Sequence, residues 1–116
     1  MRSLANDIRE GCKLSKYKVS GVLLDGKGGH CAMGAAFLGA GVSDRYGESA
    51  MMPTRYPVFW FEQCITGITY EAVRKNNYTP DTREEIADWV EQQEWERLGI
   101  PTRAMKAELA KEQVKV

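Results

Sequence analysis

The stretch Asp25-Gly26-Lys27-Gly28-Gly29-His30-Cys31-Ala32-Met33-Gly34-Ala35-Ala36 constrains the fold of this chain more than any other. A short apolar run, Val22-Leu23-Leu24, ends in a glycine-rich turn, and the turn feeds a run of small residues. Ala32 and Ala36, like Ala35 and Gly39, stand four apart, which places them on one face of a helix. A helix over 30–40 with such a face lets a neighbouring backbone approach closely. Gly34 and Gly39 each cost about 1 kcal/mol against Ala in a helix interior, so this helix depends on that neighbour. Gly39-Ala40-Gly41 marks its end. The same stretch holds the only histidine and one of three cysteines, which makes it the first place to look for chemistry.

Upstream, Leu4, Ile8 and Cys12 recur every fourth residue behind Ser3. They predict a first helix over 3–13 with one narrow apolar stripe and a weak point at Gly11. Val19, Val22, Leu23 and Leu24 around Gly21 predict a short strand over 18–24, closed by the Asp25-Gly26 turn. Residues 28–31 then either return as the second strand of a hairpin or run straight into the Ala-rich helix. Residues 41–56 follow no regular period and read as an irregular loop, with Met51-Met52 as a core plug or an adaptable contact patch.

Pro57 suits the first turn of a long helix in which Phe61, Ile65, Ile68 and Ala72 form a core face, fraying at Lys75-Asn76-Asn77. This helix is the expected spine. Thr82-Arg83-Glu84-Glu85 is a capping box, and Leu98-Gly99-Ile100-Pro101 is a stop signal. Between them Ile86, Trp89 and Val90 share a face, whereas Trp95 lies about 180° from Ile86 at 100° per residue. Thr102 caps a last helix to about Gln113. Its sizeable apolar residues are Met105 and Leu109, so 102–116 is expected as a lightly docked helix or tail. The pattern predicts one domain over 1–116, mainly α with some α+β character: four or five helices and one short β-hairpin before the Ala-rich helix.

With 43% apolar and 28% charged residues and no net charge, the composition is that of a globular protein. It lacks the basic balance of a nucleic-acid or anionic-membrane binder. The charge is uneven: residues 1–27 carry six basic against three acidic side chains, and 81–99 carry two against seven. Either these regions attract each other or the acidic helix faces a basic partner. No run approaches the ~20 apolar residues of a membrane-spanning helix. The N-terminus lacks the apolar core of a signal peptide. Cys12, Cys31 and Cys64, odd in number and widely spaced, read as reduced thiols. Together these features predict a cytoplasmic protein without membrane contact.

Each chemistry suggested by the glycine-rich turn lacks a required part. Strand, turn and helix N-terminus together make an anion site, but Cys31 stands where the third glycine of a dinucleotide fingerprint belongs. Ala35-Ala36 replace the Lys-Ser/Thr of a P-loop. Cys31 at a helix N-terminus would have a lowered pKa, yet the single imidazole, His30, is its sequence neighbour and diverges from it. Cys12, His30, Cys31 and Cys64 are zinc-type ligands without zinc-type spacing. Glu84, Glu85, Asp88 and Glu91 read as a solvated helix face, and a helix-turn-helix around Gly99 would carry the wrong charge for phosphate contact. No catalytic residue, cofactor or metal is therefore expected.

The segment Gly29-His30-Cys31-Ala32-Met33-Gly34-Ala35-Ala36, followed some fifty residues on by Glu85-Ile86-Ala87-Asp88-Trp89-Val90-Glu91, resembles small proteins of unknown function in phage, prophage and bacterial genomes. Those proteins share a G-x-C-A-x-G-A-type segment and a late I-A-D-W-[VL]-E helix. Their usual Asn-Asp pair is replaced here by Asn76-Asn77. The resemblance covers about a third of the chain and implies a phage or mobile-element origin, hence the host cytoplasm. The expected function is non-enzymatic: an accessory protein acting by protein–protein contact, on a host or defence component, through Met51, Met52, Glu91, Glu94 and Trp95. The alternatives are a virion or structural component, which would make a homo-oligomer, and a small nucleotide-binding protein using the turn from Gly26 to Gly34.

Overall fold

The computed structural model describes residues 3–22, 24–41 and 66–114. Among them the fold is mainly helical, with five helices and one two-stranded sheet. In chain order these are α1 (Leu4–Leu14), β1 (Tyr17–Lys18), β2 (Gly29–His30), α2 (Ala32–Gly39), α3 (Ile68–Tyr78), α4 (Arg83–Leu98) and α5 (Arg103–Val114). The expected loop from residue 42 onward, with Met51-Met52, and the start of the helix at Pro57 lie outside the described residues.

α1 forms as its sequence dictates. Ser3 caps it, accepting from the Asn6 amide at 3.2 Å, and Leu4, Ala5 and Ile8 turn inward. α1 packs most extensively against α2 and next against α4. The α1–α2 seam is a direct backbone approach. A Cβ at Gly11 would overlap the carbonyl of Ala35, and one at Gly39 would overlap that of Asp7. The small-residue face of α2 thus does what its spacing predicts. Gly11 is a fitted part of the seam rather than a weak point. Around the seam, Leu4, Ile8, Ala32, Ala36, Ile68, Ile86 and Val90 share one buried cluster, each large side chain worth about 1.5–3 kcal/mol on burial.

Two expectations are corrected here. The first is the hairpin. β1 and β2 pair in parallel, Tyr17 with Gly29 and Lys18 with His30. The antiparallel return is reduced to one bridge, Leu24 to His30. The turn that Asp25 closes on its own carboxylate, described below, brings Leu24 back to His30, while the ladder of β2 is made with β1. The second correction is the spine. α3 begins only at Ile68, since Gly67 sits in the left-handed region at φ 82° and interrupts any helix arriving from Pro57. α3 also holds through Asn76, which is buried.

The capping box of α4 is complete. Thr82 Oγ1 accepts from the Glu85 amide at 3.1 Å, and the Glu85 carboxylate accepts from the Thr82 amide at 3.0 Å. At its other end Gly99 is left-handed at φ 68°. The Gly99 and Ile100 amides bond back to Trp95 and Glu94 carbonyls, and Ile100 is buried. Thr102 Oγ1 accepts from the Met105 amide to start α5. From Ala104 to Glu112 every α5 side chain except the half-buried Met105 is exposed.

Candidate functional site

The glycine-rich turn fills its own cradle. Asp25 Oδ1 accepts from the Lys27 amide at 2.8 Å and the Gly29 amide at 3.0 Å, while Oδ2 takes the Tyr17 hydroxyl. The Tyr17 hydroxyl, then these amides, hold the Asp25 carboxyl down at about 2. The backbone N–H groups that would cradle a phosphate therefore face a carboxylate of the chain itself. The N-terminus of α2 is similarly spent: the Ala32 amide donates to Asn76 Oδ1 at 2.9 Å, and the Gly34 amide to Cys31 Sγ at 3.3 Å. An incoming anion would have to displace both sets of acceptors.

Cys31 and His30 point in different directions. The Cys31 thiol caps α2 and is buried, and that burial raises its pKa against the lowering pull of the helix amides. The His30 ring is buried and meets Ser15 Oγ through Nδ1 at 2.9 Å. Ser15 Oγ in turn accepts from Arg83 Nη1 at 2.6 Å, and the same guanidinium nitrogen donates to the His30 carbonyl at 3.2 Å. The result is a tie between the end of α1, β2 and the start of α4. Cys12 is pushed up to about 11, first by burial, against the lowering pull of Arg83 and with the neighbouring Glu84 carboxylate adding to the rise. Neither described thiol has the lowered pKa of a nucleophile. Among the described residues, no three His, Cys, Asp or Glu side chains gather as metal ligands, and no helix is long and apolar enough to cross a membrane.

The acidic helix also differs from its expected role. Glu94, expected on a partner-facing surface, is 1% exposed. Its carboxylate accepts from Ser3 Oγ at 2.9 Å and from the Leu4 and Ala5 amides, both at 3.0 Å. Helical position explains the inversion: Glu94 lies one turn from Val90 and two from Ala87, on the side of α4 that meets α1, and α1 presents three N-terminal donors there. Glu91 is half-buried and bonded to both guanidinium nitrogens of Arg9 at 3.2 Å and to the Arg103 amide at 3.0 Å. Arg9 also reaches Asp88 at 2.8 Å. These acids bind other parts of the same chain. Trp95 is 41% exposed; Met51 and Met52 lie outside the described residues.

A face missed in the sequence lies on α3. Tyr70 and Tyr78 are 65% and 80% exposed, Val73 is also exposed, and Arg74 stands 5.9 Å from the Tyr70 ring centroid. Tyr70, Arg74 and Tyr78 recur every fourth residue, a signal that was legible once the helix was in register through Asn76. Asn76 fixes that register. Beyond its bond to α2, its amide nitrogen donates to the Val19 carbonyl at 2.9 Å. Beside the face, Gly21, Val22, Cys31, Met33 and Val73 line a notch of about 170 Å³. Comparison with known protein families, curated proteins and solved structures yields no significant match.

Proposed function

We propose that this chain is a non-enzymatic accessory protein of the phage type, working by protein–protein contact through the outward face of α3. The observation that carries the reading is the exposed Tyr70–Arg74–Tyr78 stripe beside an apolar notch. Tyr, Trp and Arg dominate the energetics of protein interfaces, most of all next to a pocket that a partner side chain fills. A helix that leaves two tyrosines in water, while spending its Asn, Ile and Ala on the core, matches a contact surface better than a solvated face. The internally occupied turn and the raised thiols favour a binding role over a nucleotide site or a cysteine enzyme. The phage-type assignment leans on the sequence resemblance alone.

The test is photocrosslinking in a bacterial lysate, with a photoreactive aromatic residue installed in place of Tyr78. A discrete adduct, lost when the same residue replaces the exposed Leu109 instead, is the expected result. Equal or absent adducts at both positions would refute contact through α3.

A further inference from the structure

We infer that Asp25-Gly26 is a latent isomerisation site, which the fold keeps closed by holding the Asp25 carboxylate on the Tyr17 hydroxyl and the Lys27 and Gly29 amides. This lock is independent of the reading of α3. It guards the one Asp-Gly step in the chain. The chemistry is intrinsic to that dipeptide. The Gly26 amide nitrogen attacks Cγ of Asp25, a C–N bond forms, and one carboxyl oxygen leaves as water with the amide proton, closing a five-membered succinimide. Water then opens either succinimide carbonyl. One opening restores aspartate, and the other leaves an isoaspartate whose main chain runs through the former side chain. Glycine has no Cβ to hinder the attack, and Asp25 and Gly26 are both exposed to water.

Three observations oppose that step. First, the carboxylate is pinned at both oxygens, Oδ1 by the Lys27 and Gly29 amides at 2.8 and 3.0 Å and Oδ2 by the Tyr17 hydroxyl. Turning Cγ toward the Gly26 nitrogen breaks these bonds. Second, the main chain on either side is held. Gly26 is left-handed at φ 75°, and the Asp25 amide donates to the Gly29 carbonyl at 3.2 Å, so the Gly26 nitrogen moves only if the turn opens. Third, the donors favour the ionised carboxyl, which lies at about 2. A carboxylate must gain a proton before an oxygen can leave as water, and each unit by which its pKa falls leaves about tenfold less acid at neutral pH. The same donors also polarise Cγ, but they bind the ionised group more tightly than the neutral one, so their net effect is protective. An isoaspartate at position 25 would remove the acceptor that Lys27 and Gly29 share. Gly29 belongs to β2, next to the His30 carbonyl held by Arg83, so the lock also guards the joint between α1, β2 and α4.

Ageing the full chain at neutral pH over weeks tests the lock. The tryptic peptide from Val19 to Lys27 carries the site, and its aspartate and isoaspartate forms are separated by chromatography and counted by mass spectrometry. Folded wild type is expected to form isoaspartate at least about tenfold more slowly than the same chain held unfolded in guanidinium chloride. Tyr17→Phe separates the lock from the general stiffness of a folded chain. It keeps the ring that lies against Gly29 and removes only the hydroxyl. That variant should isomerise several-fold faster than wild type while its circular dichroism stays that of the folded protein. Equal rates in folded and unfolded wild type would overturn the inference. A folded Tyr17→Phe that isomerises no faster than wild type would overturn it too, since the protection would then owe nothing to the pinned carboxylate. The folded-to-unfolded comparison needs no variant, so it stands whatever Tyr17→Phe does to folding.

Discussion

Helices α1 and α5 both begin at an acidic side chain supplied by α4, yet the two junctions differ in almost everything else. At α1, Glu94 is sealed from water and accepts from two backbone amides and the Ser3 hydroxyl. At α5, Glu91 stays partly in solvent, accepts one backbone amide, and shares its charge with Arg9 and Arg103. α1 is then pressed along its length onto α2, whereas α5 leaves Leu109 52% exposed. The same chemical device, a carboxylate at a helix N-terminus, is part of the core in one place and a surface latch in the other. Burial decides which, because a buried donor that loses its acceptor has no water to turn to.

The largest effect should come from Glu94→Ala. It strips three buried donors of their acceptor, at about 1–3 kcal/mol each, and should cost about 3 kcal/mol or more of global stability in urea unfolding. Glu94→Gln, which keeps one acceptor oxygen, should recover part of that. A loss no larger than that of a surface change would put the junction of α1 on the same footing as that of α5.

Next come changes to the seam that α1 has and α5 lacks. Gly11→Ala forces a methyl group into the Ala35 carbonyl, and Ala35→Leu or Ala36→Leu overfills the opposite wall. Each should destabilise by about 1–3 kcal/mol. Silent substitutions at all three would mean the helices stand further apart than the seam implies.

How much of this was legible in the chain follows the same division. Local signals carried through: the Ser3 cap, the Thr82–Glu85 box and the Gly99 stop act between near neighbours, where spacing suffices, and the small-residue face announces a close approach by its own spacing without saying that α1 makes it. What could not be read is long-range and polar. Glu94 shares the face of Val90 and Glu96 does not, but a carboxylate on that face gives no sign of being buried, and only the arrival of Ser3 and Leu4 from the other end of the chain makes it a core residue. Asn76 is the same case, a polar residue that looked like fraying until α2 and the chain after β1 came to it. The parallel strands were missed because Asp25-Gly26 signals a turn but says nothing of the direction the chain leaves it. Gly67 was readable as a helix breaker and was passed over for the apolar period that runs through it. Of the expected site residues among those described, Trp95 is exposed, whereas Glu91 and Glu94 are bound within the chain.

Glu91→Ala is the smaller counterpart of Glu94→Ala. Its partner on α5, Arg103, is exposed, and exposed ion pairs contribute about 0.2–1 kcal/mol; the more buried Arg9 keeps Asp88, and the exposed side chains of α5 give the rest of the fold little to lose. Global unfolding should shift by less than about 1 kcal/mol. Amide hydrogen exchange in α5 should nevertheless accelerate, because a helix of twelve residues is marginal without its anchor. Exchange in α1 should not change. Acceleration in both helices would mean the two latches are coupled through α4.

The smallest and most specific effect is the pH dependence of the α5 latch. Burial is the largest single influence on Glu91 and pushes its pKa up, but the Arg9 hydrogen bond, the Arg103 amide and the two guanidinium charges together outweigh it, so the pKa is lowered. The folded value therefore lies below the ordinary one of about 4.3. A carboxylate lowered in the folded state binds fewer protons there than in the unfolded chain, so its contribution is fully present above that ordinary value and drains away as pH falls through the folded one. Exchange protection of α5 should accordingly persist at mildly acidic pH and fall only beneath the normal Glu range. Asp88 shares Arg9 and Arg103 with Glu91, so the assignment needs Glu91→Gln. That variant should show weak α5 protection at every pH and no acid step. An acid step preserved at the same pH in Glu91→Gln would move the latch to Asp88, leaving the α5 amide without the charged acceptor that parallels Glu94 at α1.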